Sequence, residues 1–188
     1  GMIDIFKGWI TDYRMDGFRI DTVKHVEHDF WEEFCVAMRE HAADLGKDNF
    51  FMFGEVFDGD DALLGSYTQP DMLDSLVNFS QKYQVYDGVF QQGQPTSTLA
   101  VQREQRMANW GAEAHPGGVG HAPRDIPVNF MDNHDVGRFL FQLPELAALQ
   151  SALVYLYTQD GVPLLYYGTE QGFDGGNSRR YACGRRHA

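Results

Sequence analysis

Three acidic side chains in this chain each follow an apolar run directly, an odd place to put a charge. One run ends Arg19-Ile20-Asp21, a second ends Gly54-Glu55, and a third ends Asn133-His134-Asp135. If the runs are β-strands, Arg19 and Asp21 are two apart and point to one face. A guanidinium beside the carboxylate favours its ionised form, which is what a nucleophile needs at neutral pH. Read structurally, the same two residues are a buried ion pair with no chemical role, the lesser alternative. Glu55 follows Phe51, Phe53 and Gly54. A carboxyl in aromatic surroundings near another carboxylate is expected to hold its proton, the profile of a general acid. Read alone, it is also an ordinary solvated loop glutamate. His134-Asp135 fits a catalytic pair, a ligand clamp or a satisfied polar turn. Two carboxylates in contrasting environments are the equipment for cleaving a glycosidic bond, and a third can bear on the positive charge of its transition state. Spacing in the sequence does not decide between retention and inversion.

The elements that must position these groups alternate. Ile3, Phe6, Ile10 and Tyr13 repeat at helical spacing, and Gly17–Asp21 alternates like a strand. Asp29 as N-cap with Glu32 three residues on predicts a second helix, with Phe30, Phe34, Met38 and Leu45 inward and Gly46 as its stop. Asn49–Phe53, Leu73–Phe79, Pro127–Met131 and Pro163–Tyr167 are short apolar runs that suit strands buried on both faces. Helical stretches fall around Ser97–Met107 and Pro144–Thr158. Such alternation means a parallel sheet covered by helices, either an open doubly wound sheet or part of a closed barrel. No G-x-G-x-x-G follows any strand, which favours the barrel. Polar residues clustered after the strands then fall where barrels carry their active sites.

Composition narrows the partners. The 188 residues suffice for one core, and 43% hydrophobic against 22% charged residues excludes a disordered chain. Fifteen basic against 27 acidic residues give a net charge of −12, which repels nucleic acid and an anionic membrane surface. A neutral, polar carbohydrate meets no such repulsion, and aromatics at 14% offer flat faces for sugar rings as well as core filling. Cys35 and Cys183 establish neither a disulfide framework nor a metal site. Cys35, beside Phe34 and Met38, reads as a buried thiol. No apolar run reaches transmembrane length, and no signal peptide opens the chain.

At these residues the sequence resembles the α-amylase family, glycoside hydrolase family thirteen. Asp16-Gly17-Phe18-Arg19-Ile20-Asp21-Thr22-Val23-Lys24-His25-Val26 resembles the family's segment on the fourth barrel strand. Gly54-Glu55-Val56-Phe57 resembles that on the fifth, and Phe130-Met131-Asp132-Asn133-His134-Asp135 that on the seventh. Gly161-Val162-Pro163-Leu164-Leu165-Tyr166-Tyr167-Gly168-Thr169-Glu170 resembles the eighth strand and its continuation. Four matches in order carry the resemblance over nearly the whole chain. It implies an α/β fold, a partial (β/α)8 barrel covering about strands four to eight. It implies a retaining hydrolase of α-1,4-glucosidic bonds in starch or maltooligosaccharides, with transglycosylase, isomerase and non-catalytic relatives as alternatives. By position, Asp21 is implied as nucleophile, Glu55 as acid and base, and Asp135 as the group that binds sugar hydroxyls. Arg19 would orient Asp21, His134 would bind the same sugar, and Lys24 and His25 would face the leaving-group side.

The resemblance implies no cofactor for the chemistry and no metal among the site residues. A structural calcium belongs to many full-length members, where a backbone carbonyl at the position of His25 meets it. The family's third-strand motif, which often completes that site, is absent here. Residues 1–177 are expected to be the barrel segment, and 178–188 a basic tail that reads as a truncated or frame-shifted end. Isolated strand edges predict a poorly soluble, inactive fragment. An α-glucan or oligosaccharide is the expected substrate. The sequence leaves oligomeric state and compartment open, with secretion or the periplasm favoured over the cytoplasm for a longer parent.

Overall fold

A computed structural model describes residues 1–175. The first helix, α1 (Met2–Tyr13), buries Ile10 and packs Ile3 and Phe6 against the core, then stops where Arg14 turns left-handed at φ 56°. Strand β1 (Gly17–Ile20) comes next. A Cβ on Gly17 would stand 2.4 Å from the carbonyl oxygen of Phe51, so the approach of the next strand demands glycine there.

Helix α2 (His28–Asp44) buries Trp31, Phe34, Cys35, Met38 and Ala42. It starts earlier than the capping pattern predicts, with Glu27 at the cap position and no side-chain cap bond. The reason is the short 3-10 turn Val23–His25, which feeds the chain into the helix before Asp29 is reached. Asp29 instead lies in the first turn, where its charge complements the helix dipole. Gly46, at φ 74°, ends the helix as expected, with its N–H and that of Lys47 reaching Ala43 and Ala42 carbonyls at 2.9 Å. Leu45, predicted to face inward, is exposed just past that end.

Strand β2 (Phe51–Gly54) leads to α3 (Asp61–Ser66). Here the acidic run 58–61 does more than solvate a loop. Asp60 Oδ1 accepts from the N–H of Ala62 at 2.9 Å, capping α3, while buried Asp61 accepts from Ser80 Oγ at 2.6 Å and Asn109 Nδ2 at 2.9 Å. Strand β3 (Ser75–Leu76) is shorter than its apolar run, because Asn78 caps a helical turn, α4 (Phe79–Gln81), that continues as a π-helical stretch over Lys82–Gln91. Helix α5 (Ser97–Asn109) precedes β4 (Val128–Asn129), then come α6 (Phe139–Gln142), α7 (Leu146–Thr158) and β5 (Val162–Pro163).

Every pairing is parallel and follows chain order. Strands β1, β2 and β3 form one ladder, β4 and β5 a second, and a parallel bridge from Val77 to Val128 joins them. Consecutive parallel strands with helices on the outside form a sector of a (β/α)8 barrel, five strands among the described residues where closure takes eight. The main core lies between sector and helices, around Phe34, Met38, Phe50, Met52, Leu73 and Phe130. A second cluster joins Tyr86, Met131, Phe139, Leu149 and Leu156. Among the described residues no helix is long and apolar enough to cross a membrane. The expected boundary at residue 177 and the tail 178–188, with Cys183, lie outside the described residues.

Candidate active site

The register of β1 on β2 decides which side chains meet. Ile20 stands opposite Gly54, so Asp21 and Glu55 leave the strands side by side. The Glu55 N–H donates to the Ile20 carbonyl at 2.8 Å, and the Val23 N–H returns to the Glu55 carbonyl at 3.0 Å. That return needs a sharp turn, which Thr22 makes at φ 55°. A β-branched residue in the left-handed region is an outlier, and this one holds the backbone beside Asp21. Gly54 is required as well. A Cβ there would stand 2.6 Å from Val23 Cγ2 and 2.7 Å from Leu73 Cδ1.

Arg19 lies between the two carboxyl groups. Its Nη1 is 3.1 Å from Asp21 Oδ2, and its Nη2 is 3.0 Å from Glu55 Oε1. The first contact is an ion pair that, through the guanidinium's close donors and its charge, holds Asp21 below the usual carboxylate range. The second is close but not aligned as an N–H···O bond, so Glu55 Oε1 is buried without a hydrogen-bond partner. Burial pushes the Glu55 carboxyl up; the Arg19 charge opposes this, and Asp21 and Asp135 add to it. The two carboxyls also act on each other in opposite directions, Glu55 lowering Asp21 and Asp21 raising Glu55, which favours the proton on Glu55. Asp21 is 62% exposed and Glu55 only 7%, the contrast in surroundings that separates their protonation.

Asp135 sits in the loop after β4, near enough for its charge to act on Glu55. Asn133 Oδ1 accepts the N–H of Asp135 at 2.8 Å and of Val136 at 3.0 Å, fixing the turn. His134 Nε2 is 3.0 Å from Asp135 Oδ2, and both are solvent-facing. Lys24 lies elsewhere: its Nζ donates to the Phe57 carbonyl at 2.6 Å and pairs with Asp58 Oδ2 at 3.2 Å, bracing the loop after β2. His25 is exposed on the 3-10 turn. The structure therefore gathers Arg19, Asp21, Glu55, His134 and Asp135 at the strand ends, with Lys24 and His25 on the rim beside β1. Among the described residues no three His, Cys, Asp or Glu side chains are grouped to hold a metal.

Two residues of this region were missed from the sequence. Asp132 and Arg138 are buried behind the loop of His134 and Asp135. Their signal was present, since Asp132 directly follows the apolar pair Phe130-Met131.

The family model described as alpha amylase, catalytic domain, matches residues 1–184. This chain belongs to the α-amylase family. An α-amylase of Streptomyces lividans is 36% identical over 186 residues, covering 93% of this chain and 19% of its own length. Alpha-amylase 1 of Lipomyces kononenkoae is 33% identical, covering 91% of this chain and 24% of its own. Among solved structures, an Anoxybacillus α-amylase superposes with a TM-score of 0.79 at 29% identity, over 95% of this chain and 37% of its own. The Geobacillus thermoleovorans α-amylase complexed with acarbose gives 0.77 at 28%, over 93% of this chain and 36% of its own. The chain thus spans about a fifth to a quarter of these two curated α-amylases and about a third of the solved ones. The four segments that resemble the family fall, in chain order, at β1, β2, β4 and β5 and their ends.

Proposed function

We propose that these residues form the catalytic centre of a retaining glycosidase that cleaves α-1,4-glucosidic bonds in starch or maltooligosaccharides. What supports the reading is one guanidinium, that of Arg19, touching two carboxyls whose proton affinities are driven apart. Asp21 is the nucleophile. Its Oδ forms a bond to the anomeric carbon as the glycosidic C–O bond breaks, and Glu55 gives its proton to the departing oxygen. Water then attacks the same carbon, Glu55 takes a proton from it, and Asp21 is released. Arg19 keeps Asp21 ionised and oriented, while Asp135 and His134 bind the hydroxyls of the reacting sugar. Lys24 and His25 face the leaving-group side. An inverting enzyme needs about 6.5–9.5 Å between its carboxyls to admit water, and one Arg19 guanidinium reaching Asp21 at 3.1 Å and Glu55 at 3.0 Å supports the shorter separation of a retaining one.

The chemistry runs on carboxyl groups without a cofactor. A structural calcium in the protein at its natural length would take the His25 carbonyl from this chain and its other oxygens from outside it. Starch is too large to cross a membrane unaided, which favours secretion or the periplasm.

The test is product analysis on maltoheptaose by NMR. Short α-maltooligosaccharides as first products support the reading, β-anomers overturn retention, and longer oligosaccharides place the reaction among transferases. The pH profile of kcat/KM is set by the two carboxyls. Asp21 must be ionised, so activity rises through a pKa below the ordinary aspartate value. Glu55 must be protonated, so activity falls through a pKa above the ordinary glutamate value. An alkaline limb at the ordinary glutamate value contradicts this assignment.

A further inference from the structure

The loop bearing His134 and Asp135 runs from the end of β4 to the start of α6, and both ends are tied to one residue after β5. Asp132 Oδ2 accepts the N–H of Phe139 at 3.0 Å, and its Oδ1 accepts from Thr169 Oγ1 at 2.7 Å. Thr169 gives its one hydroxyl proton to Asp132, so the same oxygen accepts from Arg138 Nη1, at 3.1 Å. Arg138 Nη2 donates to the Tyr167 carbonyl at 2.8 Å, and the Arg138 N–H to the Gly175 carbonyl at 3.1 Å. The guanidinium carbon also lies 4.0 Å from the ring centre of Tyr166 and 5.2 Å from that of Tyr167. Asp132, Thr169 and Arg138 are all buried, whereas the His134-Asp135 tip they carry is open to solvent.

We propose that Arg138 is a positioning residue for Asp135, setting through Thr169 how close the Asp135 carboxylate stands to Glu55. The proposal rests on the reading of Asp135 as a sugar-binding group. A planar guanidinium stacks on a ring while donating in its own plane to two acceptors, and an ammonium does not. Lysine at this position therefore keeps the charge and loses the latch. The alternative role, bracing α6 against the β5 loop for stability alone, makes a different prediction. The charged groups facing Glu55 are Arg19, Asp21 and Asp135. Arg19 and Asp21 belong to β1 and its end, and only Asp135 hangs on the latch. If the latch slackens, a negative charge moves away from Glu55, and its proton is held less firmly.

The experiment compares Arg138→Lys, Thr169→Val and a core control, Leu156→Ala, in the protein at its natural length. Turnover and KM on maltoheptaose, the pH profile and a carbon-13 NMR titration of the Glu55 carboxyl are measured for each. Both latch variants are expected to lose about tenfold or more in kcat/KM, as a displaced contact group does. Their alkaline limb and the Glu55 midpoint are expected to fall together, by about half a pH unit. Leu156→Ala loses thermal stability and leaves both where they were. Thr169→Ser, which keeps the hydroxyl, restores the midpoint. An unmoved Glu55 midpoint in both latch variants overturns the proposal. The titration needs no turnover, so a protein that hydrolyses nothing defeats the functional reading while the latch is still decided by the midpoint.

Discussion

Asp21→Asn, made in the protein at its natural length, is expected to lower kcat on maltoheptaose by about 10⁴-fold or more, since it removes the atom that forms the covalent intermediate. Glu55→Gln is expected to cost about 10²–10⁴-fold, the usual worth of a positioned proton donor. The two losses have different causes and respond differently to the substrate. An aryl maltoside with an acidic phenol as leaving group departs without a proton. On that substrate the Glu55→Gln deficit in the first step shrinks sharply, while the Asp21→Asn deficit stays. A burst of phenol followed by slow turnover in Glu55→Gln would report the stalled intermediate, because the base that activates water is gone as well. A drop of less than about tenfold in either variant on maltoheptaose refutes the role assigned to it. Equal rescue of both on the aryl substrate refutes the division of labour.

How much of this was legible beforehand depends on how local the cause is. Asp21 and Glu55 stood out because a charge straight after Gly17–Ile20 or Phe51–Gly54 has to emerge at a strand end. That Arg19 reaches both carboxyls was not legible, because it depends on Ile20 pairing with Gly54, a register that no single strand specifies. Apolar periodicity marked the helices, yet α2 begins at His28, since the 3-10 turn before it is set by the Val23–Glu55 backbone bond rather than by a cap. The structural role of the acidic run 58–61 has no local sign, because the partners of Asp61, Ser80 and Asn109, are distant in sequence. The roles of Asp132 and Arg138 were hidden for the same reason, being defined by Thr169 on the following strand unit.

Asp74 is the clearest case of a charge hidden inside an apolar run, and its removal should give the largest stability loss in the chain. It lies between Leu73 and Ser75 at the base of β3, the opposite end of the strands from the carboxylates. Its N–H donates to the Met52 carbonyl at 3.0 Å, and its Oδ2 accepts the Met52 N–H at 2.9 Å, so the side chain continues the ladder between β2 and β3. Its Oδ1 is 3.1 Å from Arg39 Nη2, and the side chains are 2% and 3% exposed. Arg39 also donates to the Met72 carbonyl and, at 3.5 Å, to that of Asp71, but its Nε is buried with no hydrogen-bond partner. Asp74→Ala therefore leaves a guanidinium out of water with carbonyl contacts and no paired carboxylate, a loss of about 3–5 kcal/mol for a broken buried pair. The midpoint in urea should fall with the slope unchanged, while kcat/KM per folded molecule stays put, since nothing at the strand tops is touched. Arg39→Met combined with Asp74→Leu should recover much of the loss, because two apolar groups of similar bulk leave neither charge stranded. Strict additivity of Arg39→Met and Asp74→Leu would mean that the two side chains act independently, and that α2 is held to the sheet by its apolar stripe alone.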